Sequence, residues 1–147
     1  MSGSEWVGLL AGNDGVRERF GALPGLDACD LFHCLIDERG VSVTLGFDVR
    51  PAPPALLEEW REKKEANAFE FFLTFTSVTD LYVSGWGGSM RRSVQILRAP
   101  EDGGIAVTVE SPTERLAFRA QEAAISRART YLASSASIAE AAFRGGS

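Results

Sequence analysis

Residues 69–89, FEFFLTFTSVTDLYVSGWGGS, decide the fold. Phe69, Phe71, Leu73 and Phe75 alternate with Glu70, Phe72, Thr74 and Thr76. This period of two is the mark of a β-strand whose faces meet different surroundings, so the segment reads as a central strand. Ser77, Val78, Thr79 and Asp80 form a polar turn, Leu81 to Ser84 resume the alternation, and Gly85, Trp86, Gly87 and Gly88 end it. The pattern predicts a hairpin with a glycine-lined exit. Phe69, Phe71, Leu73, Phe75, Leu81 and Val83 are the expected core.

Working outward, the same alternation recurs on both sides. Upstream, Asp30 to Ile36 reads as a strand with Leu31, His33 and Leu35 on one face and Phe32, Cys34 and Ile36 on the other. After the turn Asp37, Glu38, Arg39, Gly40, residues 41–49 alternate without error: Val41, Val43, Leu45, Phe47 and Val49 inward, the residues between them outward. An antiparallel strand with one face in the core gives this pattern. Downstream, Ser93 to Arg98, then Ile105 with Val107 and Val109, then Leu116 with Phe118, and finally Ile125 to Leu132 complete the strand set. Helices are few. Trp6, Leu9 and Leu10 share a helical face behind a Ser4 cap, and Val16 and Phe20 are spaced for a second turn behind Asn13 or Asp14. Pro51, Pro53 and Pro54 stop the second strand, and the residues after them fit a helix over 54–65, with Leu56 and Trp60 as its buried stripe.

The expected fold class is therefore α+β: one mainly antiparallel, twisted β-sheet with short N-terminal helices and a helix after the proline-rich segment. A chain of 147 residues suits one core. The expected domain is 4–132, with 133–147, ASSASIAEAAFRGGS, as a frayed or weakly helical tail.

Charge and composition exclude more than they assign. Net charge is −5. Residues 1–66 carry 12 acidic and 7 basic side chains, whereas residues 67–147 carry 8 of each, so the acidity belongs to the first half. That bias opposes binding to nucleic acid or an anionic membrane and allows steering of a basic partner, and it serves solubility equally well. The polar start MSGSE lacks a basic n-region and the run Trp6 to Ala11 is short, so a cytoplasmic location is expected. Cys29 and Cys34, five residues apart, exceed the roughly 7 Å limit for a disulfide if they share an extended strand, and are expected as thiols.

No catalytic constellation emerges. His33 is the sole histidine, and its neighbour Cys34 points to the opposite face of a strand, which separates a base from a nucleophile. One histidine and two ill-spaced cysteines do not supply a zinc site. The GWGGS loop, 85–89, leads through Arg91 and Arg92 into a strand, not into the helix that a phosphate-cradling loop requires. No cofactor or metal is expected.

The order of landmarks along the chain resembles that of the bacterial family known as immunity protein 50. These are Trp6 with Leu9 and Leu10, Asn13, Phe20-Gly21, Pro24, Leu26-Asp27, Leu31, Gly40 before VSVTLGFDV, Pro53-Pro54 to Trp60, Asn67, and Ser84-Gly85-Trp86. The resemblance runs from Trp6 to Tyr131, with ANAFE at 66–70 departing from the pattern. It implies a non-enzymatic protein of a polymorphic toxin system that binds and neutralises a cognate toxin. Joined to the acidic first half, it points to a basic toxin such as a nuclease, met by Glu58, Glu59 and Glu62 around Trp60, and by Trp86. The alternatives are a small-molecule or peptide-binding β domain with a cleft near Tyr82 and Trp86, and a hydrolase centred on His33. The oligomeric state is left open.

Overall fold

A computed structural model describes residues 5–15, 23–50, 67–87, 91–99 and 103–131. Within them the alternating segments form β1 (Asp30–Asp37), β2 (Ser42–Val49), β3 (Ala68–Thr76), β4 (Thr79–Ser84), β5 (Ser93–Arg98), β6 (Ile105–Glu110), β7 (Arg115–Ala120) and β8 (Glu122–Tyr131). Every pairing among them is antiparallel. The strands divide between two four-stranded sheets, one ordered β1-β2-β3-β8 and the other β4-β7-β6-β5.

The opening stretch is not a hairpin. β3 and β4 lie in different sheets, because the polar turn between them bends the chain round a corner instead of reversing it. Ser77 and Asp80 both adopt positive φ, 53° and 55°. Between them Val78 is buried and donates its N–H to the Val41 carbonyl, 2.9 Å away, so the corner is held by the tip of the β1–β2 hairpin. The return path bends at the same place: Gln121, between β7 and β8, donates its N–H to the Thr76 carbonyl at 3.0 Å. β3 with β8, and β4 with β7, are thus one two-stranded ribbon that passes from the first sheet into the second. Strands that switch sheets at bends of this kind close a sandwich over a shared core.

The core is the row of inward residues the alternation selects. Val43, Leu45, Phe47, Phe69, Phe71, Leu73 and Phe75 of the first sheet are fully buried, and Val107, Val109, Leu116 and Phe118 answer them from the second. Phe75 meets Phe118 edge-on across the corner, ring centres 5.2 Å apart. Leu81 and Val83 depart from expectation, being 42% and 45% exposed. Among the described residues β4 is an edge strand, with a neighbouring strand on one flank only.

β1 also departs from simple alternation. Leu31 pairs with Phe47 and His33 with Gly46, which leaves Phe32 as the extra residue of a bulge. Downstream of it the phase is shifted by one, so Cys34 and Ile36 pair with inward Leu45 and Val43, while Leu35 pairs with outward Thr44. Leu31 therefore shares its face with Cys34 and Ile36, not with His33 and Leu35. A period of two cannot reveal a bulge. Phe32 and His33 pack with Phe72 on the outer surface, ring centres 5.6 and 5.5 Å from it. Gly46 makes room for this cluster, since a Cβ there would lie 2.7 Å from Phe72 and 2.8 Å from His33.

At the N-terminus the expected helix is a 3-10 turn, Glu5–Leu9. Trp6, Val7 and Leu10 are buried. Trp6 stacks flat on Phe71, centres 5.5 Å apart, and donates its indole N–H to the Pro24 carbonyl at 3.2 Å. The Asn13 amide donates back to the carbonyls of Gly8 and Leu10. Val16 and Phe20, the helix expected over 54–65 and the tail 133–147 lie outside the described residues.

Candidate functional site

The glycine-rich exit from β4 is built around a buried carboxylate. Glu114, in the turn between β6 and β7, has a fully buried side chain. Arg92, just before β5, donates from Nε to Oε1 at 3.1 Å and from Nη2 to Oε2 at 3.0 Å. Gly87 donates its N–H to Oε2 at 3.0 Å and Ser111 its hydroxyl to Oε1 at 3.0 Å. A charge out of water is tolerable only with partners of this kind. The Arg92 guanidinium in turn lies 4.1 Å from the Trp86 ring centre, a cation–π contact. Gly85 permits the approach: it has φ +66°, and a Cβ on it would lie 2.0 Å from the Thr113 carbonyl oxygen. Ser84-Gly85-Trp86-Gly87 is therefore an ion-pair clasp joining the end of β4 to the β6–β7 turn and to the start of β5.

Trp86, one of the side chains expected to meet a partner, is half-buried against the core and under Arg92. Glu58, Glu59, Trp60 and Glu62 lie outside the described residues, so the structure brings none of them to Trp86. Neither Arg92 nor Glu114 was singled out by sequence. Arg92 reads as one of two stray basic residues, and nothing local distinguishes Glu114 from a solvated turn acid.

The chemistry available elsewhere is structural. His33 packs its ring on Phe72 and faces outward with Gly46, whereas Cys34 pairs with Leu45 inward, so the two do not cooperate. Both cysteines are free. Burial, reinforced by Asp27, pushes the Cys29 thiol up to about 12, and burial also raises that of Cys34 against the opposing charge of Arg92. Neither favours the reactive thiolate at neutral pH. Among the described residues no group of His, Cys, Asp and Glu is arranged to hold a metal ion. Beside Tyr82 lies an open depression of about 280 Å³, lined also by Ser84, Glu110, Ser111, Thr113 and Arg115. Small-molecule sites are mostly apolar concavities of about 300–1,000 Å³, which this polar hollow does not match.

A second polar seam crosses the outer face of the first sheet. Tyr131 donates its hydroxyl to Asp48 Oδ1 at 2.5 Å, Arg50 pairs with Asp48 Oδ2 at 2.5 Å, and Arg129 pairs with Glu70. Burial raises the Asp48 carboxyl, and the Tyr131 hydrogen bond and Arg50 pull it back. The seam fastens β8 to β2 over the intervening β3. Among the described residues no helix is long and apolar enough to cross a membrane.

The described residues thus form two antiparallel sheets over one core, with the Trp86 clasp at the end of β4. No curated protein and no solved structure gives a significant match to the chain. The sequence model described as immunity protein 50 does match, over residues 12–131, from the turn after the first 3-10 segment to the last residue of β8. That span is 120 of 147 residues and takes in both sheets, so the protein belongs to the immunity protein 50 family.

Proposed function

We propose that this protein neutralises a cognate bacterial toxin of a polymorphic toxin system by binding it stoichiometrically in the cytoplasm, without catalysis. The single observation that carries the reading is the family match over both sheets, 12–131. The distribution of charge supports a basic toxin such as a nuclease, since the excess of acidic side chains falls within residues 1–66. Glu58, Glu59 and Glu62 around Trp60 act at long range, drawing a basic surface in before contact, and the exposed part of Trp86 joins the contact itself. Steering of this kind raises association rates by about 10- to 1,000-fold and fades as salt screens it.

The test is the association rate constant for the toxin, followed by stopped flow over a salt series. The wild-type rate is expected to fall by about tenfold or more between low salt and about 0.5 M. Reversing Glu58, Glu59 and Glu62 together to lysine should slow it at low salt and flatten the salt dependence. An unchanged rate after the triple reversal would remove the electrostatic part of the proposal.

A further inference from the structure

Among the described residues eight large apolar side chains are exposed, and seven of them belong to two places, four to β1 and its turn and three to β4. These places are neighbours. Along the ribbon that β3 and β4 form, β8 and β7 occupy one side throughout; the other side is taken by β2 and β1 beside β3, and beside β4 holds no strand among the described residues. The tip of the β1–β2 hairpin abuts the start of β4 through the bond from Val78 to the Val41 carbonyl. At its far end β4 runs into Trp86, whose partner Arg92 is near enough for its charge to act on Cys34 in the middle of β1. The start of β4 and the tip of the β1–β2 hairpin are thus adjacent, and β4 with β1 and its turn carry most of the exposed large apolar side chains of the described residues. Soluble proteins seldom leave contiguous apolar surface or a β-branched strand edge open without a partner.

Val41 adds an independent sign. It adopts φ 49° and is 50% exposed. A β-branched residue rarely takes this left-handed conformation, which asparagine and glycine accept readily. The Val41 carbonyl serves the fold by accepting from Val78, which asparagine or glycine at this position would do equally, whereas the exposed valine side chain adds strain and gains little from the fold, a pattern found at binding sites. The charges around it choose the partner. Asp37 at the tip end of β1, Glu38 in its turn and Asp80 on β4 are opposed on these elements by Arg39 alone. Of the neighbouring cations, Arg92 at the far end of β4 is paired with Glu114, and Arg115 and Arg119 are on β7, one strand further in, with Arg115 paired with Glu110.

We infer that the flank formed by Ile36, Val41, Leu81, Tyr82 and Val83 is the surface that buries against the toxin, and that the toxin presents there an apolar patch rimmed by lysine or arginine. This rests on the reading of the protein as a toxin-binding immunity protein. It assigns to β4 and the hairpin tip the contact that Glu58, Glu59 and Glu62 precede by attraction.

The test measures toxin affinity by calorimetry, and thermal stability in parallel, for wild type, V41N, the double variant L81K/Y82K, and L97K as a control on β5. Val41→Asn should raise the melting temperature by about 2–4 °C, by relieving the backbone, yet weaken the toxin complex at least about tenfold. A variant that is more stable and binds less cannot owe its loss to unfolding. L81K/Y82K should weaken binding further and L97K leave it unchanged. If wild type binds while V41N and L81K/Y82K bind equally well, this surface is wrong although the immunity reading stands. If the free protein dimerises and V41N dissociates the dimer, the flank belongs to a second copy and the inference is overturned. If wild type binds no toxin, the underlying reading falls first.

Discussion

Replacing Glu114 by alanine is expected to destabilise the fold by about 3–5 kcal/mol, the cost of breaking a buried ion pair by removing one member. The Arg92 side chain is 13% exposed and would keep its charge with little water to solvate it. The Gly87 N–H and the Ser111 hydroxyl would lose their acceptor at the same time. In a chain of this size the melting temperature should drop by about 10 °C or more. Glu114→Gln should recover only part of the loss, since an amide can accept one of these bonds but answers neither the charge nor the two-pronged geometry of the guanidinium. Thermal unfolding of the two variants, with Trp86 fluorescence reporting the clasp, checks this; a loss below about 1 kcal/mol for Glu114→Ala would mean that the clasp is not a strong tie.

Phe71→Ala should be comparably severe. Phe71 is fully buried at the centre of an aromatic stack, 5.5 Å from Trp6, 5.2 Å from Phe47 and 5.9 Å from Phe69. Truncation loses the transfer free energy of the ring and leaves a cavity, together about 3–5 kcal/mol, against a total stability of about 5–15 kcal/mol for an ordinary domain. The N-terminal 3-10 turn should loosen as well, because Trp6 would lose the ring on which it lies flat. Chemical denaturation gives the energy and Trp6→Phe, combined with Phe71→Ala in a double-mutant cycle, gives the coupling. Strict additivity of the two substitutions would show that the stack does not anchor the N-terminus.

The strands and their inward residues were legible because alternation is a local property. β5 falls on Ser93–Arg98 as expected, and Val43 to Val49 and Phe69 to Phe75 point inward as the pattern requires. The features that were not legible are long-range. Ser77 to Asp80 has the composition of a hairpin turn, and only the bond from Val78 to Val41 shows that it turns a corner between sheets. The bulge at Phe32 needs the partner strand to be seen. Gly85 and Trp86 stood out in the sequence, but their reason lies with Arg92 and Glu114, the latter 28 residues beyond Trp86. Of the residues expected to meet a partner, Trp86 takes its place in this clasp, while the acidic segment at 58–62 belongs to the part of the chain outside the described residues.

The claim that matters most is that this family member works by occupying its toxin. The direct measurement is co-expression with the C-terminal domain of a candidate cognate polymorphic toxin, followed by purification through a tag on the toxin and determination of the mass of the product. A stable one-to-one complex, survival of the co-expressing cells, and toxin activity that returns when the complex is dissociated are predicted. Protection without a complex, or inhibition by far less than one equivalent, would contradict stoichiometric binding.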